Sequence, residues 1–216
     1  MISLNLKKRF FTSLILFLIL FLIFNFKFFL IYFLLVFGIF SAIEFFDLIK
    51  KITKDKILQF FQNLIFIFFV ATFIFFIVFF SSIYQLKIIV FILLFGCIAS
   101  DIGGLIVGKI FKGPRLTKIS PNKTIAGAIG SIFFTIIIVN ILFFYFFGVF
   151  SLNLLAISIC NSIGCQIGDI FFSFLKRKAK IKDTGNILPG HGGILDRVDG
   201  IILGIPIGFI SLILLY

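Results

Sequence analysis

Charge is scarce in this 216-residue chain: 13% of its residues are Asp, Glu, Lys or Arg, while 62% are apolar and the mean hydropathy is +1.29. A soluble domain carries roughly 45–50% apolar residues, so the composition excludes one. Ligands for soft metals are also few. One histidine and three cysteines, Cys97, Cys160 and Cys165, are present, and the cysteines sit in apolar runs without ligand spacing. They read as small buried packing residues, and a zinc site is not expected. Alternating apolar and polar positions are missing too, which argues against a membrane barrel. No short-period repeat and no separate soluble domain stand out. The 37 phenylalanines spread along every apolar run as packing and lipid-facing bulk.

What the chain has is long apolar runs, near 10–26, 28–48, 57–80, 88–108, 126–147, 151–172 and 199–216. Each approaches the about 20 residues that a spanning helix needs, so the expected fold is an all-α polytopic membrane protein with about seven transmembrane helices. The first run follows Lys7, Lys8 and Arg9 but is long and lacks a small-residue cleavage site, so it reads as a retained span rather than a signal peptide. Basic residues cluster at every second connection: Lys7 to Arg9, Lys50 to Lys56, Lys109 to Lys123 and Lys176 to Arg197, with only Lys27 and Lys87 elsewhere. The positive-inside rule then puts the N-terminus and the loops around 49–56, 109–125 and 173–198 in the cytoplasm, and the C-terminus outside. A bacterial inner membrane suits this pattern. Residues 1–94 read as packing and lipid-facing spans, and 95–216 as the region that carries chemistry. The net charge of +12 is first a topology signal. It also attracts anionic headgroups by about 1 kcal/mol per charge and a soluble polyphosphate, whereas nucleic acid is not an expected partner.

Five of the eight acids, Asp101, Asp169, Asp183, Asp196 and Asp199, fall in or beside the last two cytoplasmic loops. Asp101 lies about 12 Å deep in its span at 1.5 Å per residue, where an unpaired carboxylate costs several kcal/mol, so it should face the protein interior or a wet cavity. Asp196 and Asp199, three apart, share a helix face, and carboxylates from two helix ends can meet around a cation. Oxygen ligands near phosphate favour magnesium over zinc or copper. The plainer alternative, pairing with Lys176, Arg177 and Arg197 at the membrane surface, stays open on these residues alone. A transporter with Asp101 as coupling site is a further reading, but it leaves the one-sided gathering of polar residues unexplained.

The loop at 173–198 is longer than ordinary connections. Leu188-Pro189-Gly190-His191-Gly192-Gly193 joins a rigid turn to glycines that allow close backbone approach, and it runs into a helix N-terminus, a natural anion site. Lys176, Arg177, Lys180 and Lys182 lie upstream. Basic residues, glycines and paired acids together point to a phosphate and metal site. His191 is open to three roles: a phosphate hydrogen bond, a proton shuttle or a cap on the turn.

The segment Ser173, Lys176-Arg177, Lys182-Asp183, Leu188-Pro189-Gly190-His191-Gly192-Gly193, Asp196-Arg197 and Asp199 resembles the signature of the phosphatidate cytidylyltransferase family. Ser120-Pro121-Asn122-Lys123-Thr124 followed by Gly127 is similar to the family's Ser-Pro-x-Lys-Thr motif, with Asp101 upstream, and Gly168-Asp169 resembles its Gly-Asp. The resemblance covers roughly 95–216. It implies an enzyme that converts CTP and phosphatidic acid to CDP-diacylglycerol and pyrophosphate with magnesium, the number of cations left open. By the same resemblance Asp169 and Asp196 hold the cation with Asp199 supporting. Lys176, Arg177, Lys182, His191 and the backbone of Gly192 and Gly193 contact phosphates, and Ser120, Lys123 and Thr124 complete the site. Asp101, Asp183, Gly190 and Arg197 are carried over as further substrate-binding positions. Membrane lipids surround such an enzyme, and a homodimer is a candidate assembly. A phosphatidate phosphate is a competent nucleophile at neutral pH, so no dedicated base is required. Four positions depart from the pattern: Ala126 and Phe172 stand where relatives carry acids, Leu105 replaces an aromatic and Lys109 an arginine. These departures motivate a degenerate, inactive relative as the alternative.

Overall fold

The computed structural model describes residues 15, 18–117, 119–120, 123–185, 187 and 192–216. Its helices are α1 (Lys27–Ile52), α2 (Lys56–Phe80), α3 (Tyr84–Phe111), α4 (Ile125–Phe147), α5 (Leu152–Lys178), the short α6 (Leu195–Val198) and α7 (Ile201–Leu215). Among the described residues no strand longer than an isolated bridge occurs, as between Arg115 and Thr124. A backbone in lipid must satisfy its own hydrogen bonds, and helices do so within one segment. Among the described residues six stretches are long and apolar enough to cross a membrane, α6 and α7 counting together as Leu195–Leu215. Of the expected seventh, 10–26, residues 10–14, 16 and 17 lie outside the described residues, and 18–25 are helical. At Phe26 the backbone turns extended (φ −121°, ψ 117°) before α1 begins. The chain is an integral membrane protein built from helices.

The chain divides into two compact units. Unit 1 joins Met1–Phe79 to Leu175–Arg197, and so takes the last turn of α5 and the signature segment apart from Ser173 and Asp199. Phe45 of α1 stacks on Phe66 of α2 with ring centroids 3.8 Å apart, and Leu48 and Ile49 are buried beside it. The expected loop at 173–198 is shorter than the sequence suggested, because α5 continues to Lys178. Its last turn carries Lys176, Arg177 and Lys178, cations that suit the negative end of the helix dipole. The helix stops where Lys180 adopts φ +57°. Ile181 N–H then reaches Lys176 O at 3.0 Å and Lys180 N–H reaches Arg177 O at 3.1 Å, the Schellman pattern with lysine in the usual glycine position.

Unit 2 joins Phe80–Phe174 to Val198–Tyr216. Helices α3 and α4 approach closely because Gly103 and Gly104 face Gly130 and Ser131, leaving no room for added side-chain carbons. Hydrogen bonds tie this seam, the Ser131 hydroxyl donating to Ser100 O at 2.7 Å and Thr135 to Gly96 O at 3.2 Å, and Asn161 Nδ2 of α5 donates to Gly204 O of α7 at 3.1 Å. Interhelical bonds of this kind contribute about 0.6 kcal/mol each in membranes. They give packing a direction where the hydrophobic effect between helices is absent.

Candidate active site

In unit 2 the chain between α3 and α4 is pinned to the start of α4. Leu116 N–H donates to Lys123 O at 2.7 Å, Ile125 N–H to Pro114 O at 3.0 Å, and Lys123 N–H to Ser120 O at 3.0 Å. Lys123 is thereby held so that its ammonium pairs with the Asp169 carboxylate on α5, both side chains partly accessible at 26% and 31%. Thr124 is the N-cap of α4, its hydroxyl accepting from Gly127 N–H at 3.0 Å. That bond gives Thr124 a structural task beside the substrate role the motif implies. Gly168, the residue before Asp169, lies against the backbone carbonyl of Asp199, where a Cβ would collide. Asp199 is buried, and its Oδ1 accepts Gly200 N–H at 3.0 Å. Asp101 is accessible rather than enclosed in the packed interior. The Cys165 thiol lies 3.7 Å from its Oδ1, and Cys165 and Cys97 are buried, as packing residues should be, while Cys160 is half-buried.

In unit 1 the centre is Asp196, whose side chain is 7% exposed. Its Oδ1 accepts from Lys176 Nζ at 2.7 Å, and its Oδ2 accepts from Thr184 N–H at 2.8 Å and Gly193 N–H at 3.0 Å. A carboxylate this buried needs such donors to offset its desolvation. Gly192 adopts φ +83° and passes the Asp196 carboxylate at a distance that leaves little room for a side chain, so the glycine is required twice over. Arg177 is exposed and its guanidinium donates to Ile181 O at 3.4 Å. Lys182, Asp183 and Arg197 are exposed. Gly190 and His191, with Pro121, Asn122, Leu188 and Pro189, lie outside the described residues.

Each predicted metal carboxylate that an ion pair reaches, Asp169 and Asp196, therefore meets a lysine. Asp196 took the partner that the plainer reading anticipated, Lys176; Asp169 took Lys123, which the sequence placed in the phosphate-contacting set. Among the described residues no three of His, Cys, Asp and Glu gather around one point. The donor chemistry nonetheless suits magnesium, which binds through one or two carboxylates and keeps several waters. Asp169 fits best, being partly accessible and paired with one lysine. Asp196 can serve only by exchanging Lys176 for the cation. Sequence reasoning passed over Glu44, the chain's single glutamate, which is buried at 4% exposure in α1. The available signal was an ionisable residue inside an apolar span, a functional candidate by default.

A family model described as the cytidylyltransferase family matches residues 2–215, nearly the whole chain. The chain belongs to the cytidylyltransferase family. Among its relatives, the phosphatidate cytidylyltransferase of Rickettsia bellii is 42% identical over 129 residues, 55% of this chain and 55% of the relative. That of Rickettsia felis is 40% identical over 134 residues, 57% of this chain and 59% of the relative. That of Staphylococcus haemolyticus is 43% identical over 116 residues, 53% and 45% respectively. The matched stretches thus span about half the length of these relatives. Of the departures from the family pattern, Phe172 is 2% exposed and Ala126, in the first turn of α4, is half-buried.

Proposed function

We propose that the chain transfers the cytidylyl group of CTP to phosphatidic acid, giving CDP-diacylglycerol and pyrophosphate. A phosphatidate oxygen forms a bond to the α-phosphorus of CTP as the bond to the β-phosphate bridging oxygen breaks, and pyrophosphate leaves with that oxygen. Such transfers depend on positioning and charge neutralisation more than on covalent chemistry by the protein. The observation that carries the reading is the 40 to 43% identity to relatives named phosphatidate cytidylyltransferase. The lysine–carboxylate pairs at two motif positions support it.

In this reading Lys123 and Lys176 leave their carboxylates for phosphate oxygens when substrate enters, and Asp169 is assigned to magnesium; Asp196 and Asp199 are the further carboxylates that the family motif offers it, although the described residues do not gather three around one point. When bound, the cation supplies positive charge against the phosphate oxygens. The backbone amide of Gly192, with Arg177 and Lys182, contacts phosphates, and that of Gly193 joins them only on leaving Asp196; Ser120 and Thr124 belong to the same set, as do His191 and Gly190. The proposal extends to seven spans with the N-terminus and basic loops in the cytoplasm of a bacterial inner membrane, so that CTP reaches the site from the cytoplasm and phosphatidic acid from the leaflet. A homodimer is compatible with it. The test is pyrophosphate release by the purified protein with magnesium. Release that requires both CTP and phosphatidic acid supports the reading; CTP binding without release for any phosphatidic acid favours the degenerate relative suggested by Ala126 and Phe172.

A further inference from the structure

Glu44 sits in α1, some 140 residues before the segment it touches. Its Oε1 accepts Ile194 N–H at 2.9 Å, and its Oε2 accepts Leu195 N–H at 2.9 Å and the Thr184 hydroxyl at 2.8 Å. Gly185 and Gly193 lie so close that a Cβ on either would collide with the carboxylate. All of these residues belong to unit 1. A buried carboxylate is costly unless hydrogen-bonded, and here two backbone amides and a hydroxyl, neutral donors all, surround it.

The donors to Glu44 alternate along the chain with the donors to Asp196. Thr184 gives its hydroxyl to Glu44 and its N–H to Asp196; Gly193 N–H goes to Asp196, and the next two amides, of Ile194 and Leu195, go to Glu44. Two carboxylates thus grip the same two stretches of backbone, around 184 and 193–195, and Asp196 directly follows the last amide that Glu44 holds. We propose that Glu44 is a positioning residue of the nucleotidyl transfer: through Thr184, Ile194 and Leu195 it sets where Asp196 and the Gly192–Gly193 turn stand, without touching substrate. The inference rests on the function proposed above. The charge state matters because both oxygens must accept. In Glu44→Gln, one of the two oxygen positions becomes an amide NH2, a donor facing a donor.

Hydrogen–deuterium exchange and steady-state kinetics on the full chain in lipid nanodiscs test this. For Glu44→Gln the expected result is faster exchange confined to 184–195, and an apparent KM for CTP raised about tenfold, the lower end of what second-layer support of a site costs. A variant that merely folded in lower yield would show a reduced maximal rate with wild-type KM, and that outcome overturns the proposal. Should Glu44→Gln fail to accumulate, Thr184→Val removes a single donor to the carboxylate and leaves the two backbone amides in place; a KM raised by a smaller factor than in Glu44→Gln is expected, and an unchanged KM overturns the proposal. An unmodified chain that makes no pyrophosphate would instead overturn the proposed function. In that case exchange at Ile194 and Leu195 still reads the grip of Glu44, and unchanged exchange in Glu44→Gln refutes it.

Discussion

Lys123 and Lys176 each stand against a carboxylate where a cation would otherwise be needed, but the two pairs differ in depth, and this difference decides what mutations do. The Lys123–Asp169 pair is partly exposed and, like other accessible pairs, contributes no more than about 1 kcal/mol to folding. Asp169→Asn should therefore remove most activity and leave thermal unfolding nearly unchanged; near-normal turnover at saturating magnesium would remove Asp169 from the site. Asp196→Asn should lose activity and stability together. Its carboxylate is buried and accepts three hydrogen bonds, and breaking a buried pair costs about 3–5 kcal/mol, so its melting temperature should fall well below that of Asp169→Asn. Asp47→Asn is the control, since Asp47 is exposed and its ion pair is with Lys50 at 3.5 Å. The sequence pointed to Asp169, Asp196, Lys123 and Lys176 as polar residues in motifs, but not to the pairings among them, which depend on which side chains the fold brings within reach. The partners of Glu44 were illegible for the same reason, being backbone amides some 150 residues away. The departures also separate once depth is known. Phe172→Glu would bury a carboxylate at a 2% exposed position and should unfold the protein, whereas Ala126→Glu sits in the first turn of α4, where an acid suits the helix dipole.

Helices α3 and α4 meet through glycines, and the Cβ of an alanine at Gly130 would overlap Val107. Forcing an extra carbon into a packed interface costs about 1–3 kcal/mol, so Gly130→Ala should lower the unfolding temperature in detergent; an unchanged value would mean that the helices are less tightly packed than described. At the end of α5 the strain runs the other way. Lys180 holds a left-handed conformation that costs an L-residue about 1 kcal/mol, and Lys180→Gly should raise stability by about that amount. Span positions were readable from hydropathy because a bilayer imposes a minimum length. Helix ends were not: α5 carries its lysines and arginine as a final helical turn, and α3 runs on to Phe111, since long basic side chains can leave the membrane while their backbone stays helical.

At the scale of the whole molecule, apolar composition made the membrane class plain, while the division into two units was not legible, because unit 1 recruits Leu175–Arg197 from far along the chain. Long-range recruitment of that kind leaves no periodic trace. Orientation is tested by labelling single cysteines placed at Lys112, at Lys180 and at Phe150. The first two should react from the cytoplasmic side and the third from the outside; labelling of position 180 only from outside would put the signature segment away from CTP. The central claim is that this short chain joins a nucleotide to a lipid, and the most direct measurement is mass spectrometry of the lipid formed by the purified protein from CTP, phosphatidic acid and magnesium. CDP-diacylglycerol should accumulate in step with pyrophosphate and vanish in Asp169→Asn; a folded protein that binds CTP yet forms no such lipid would contradict the account.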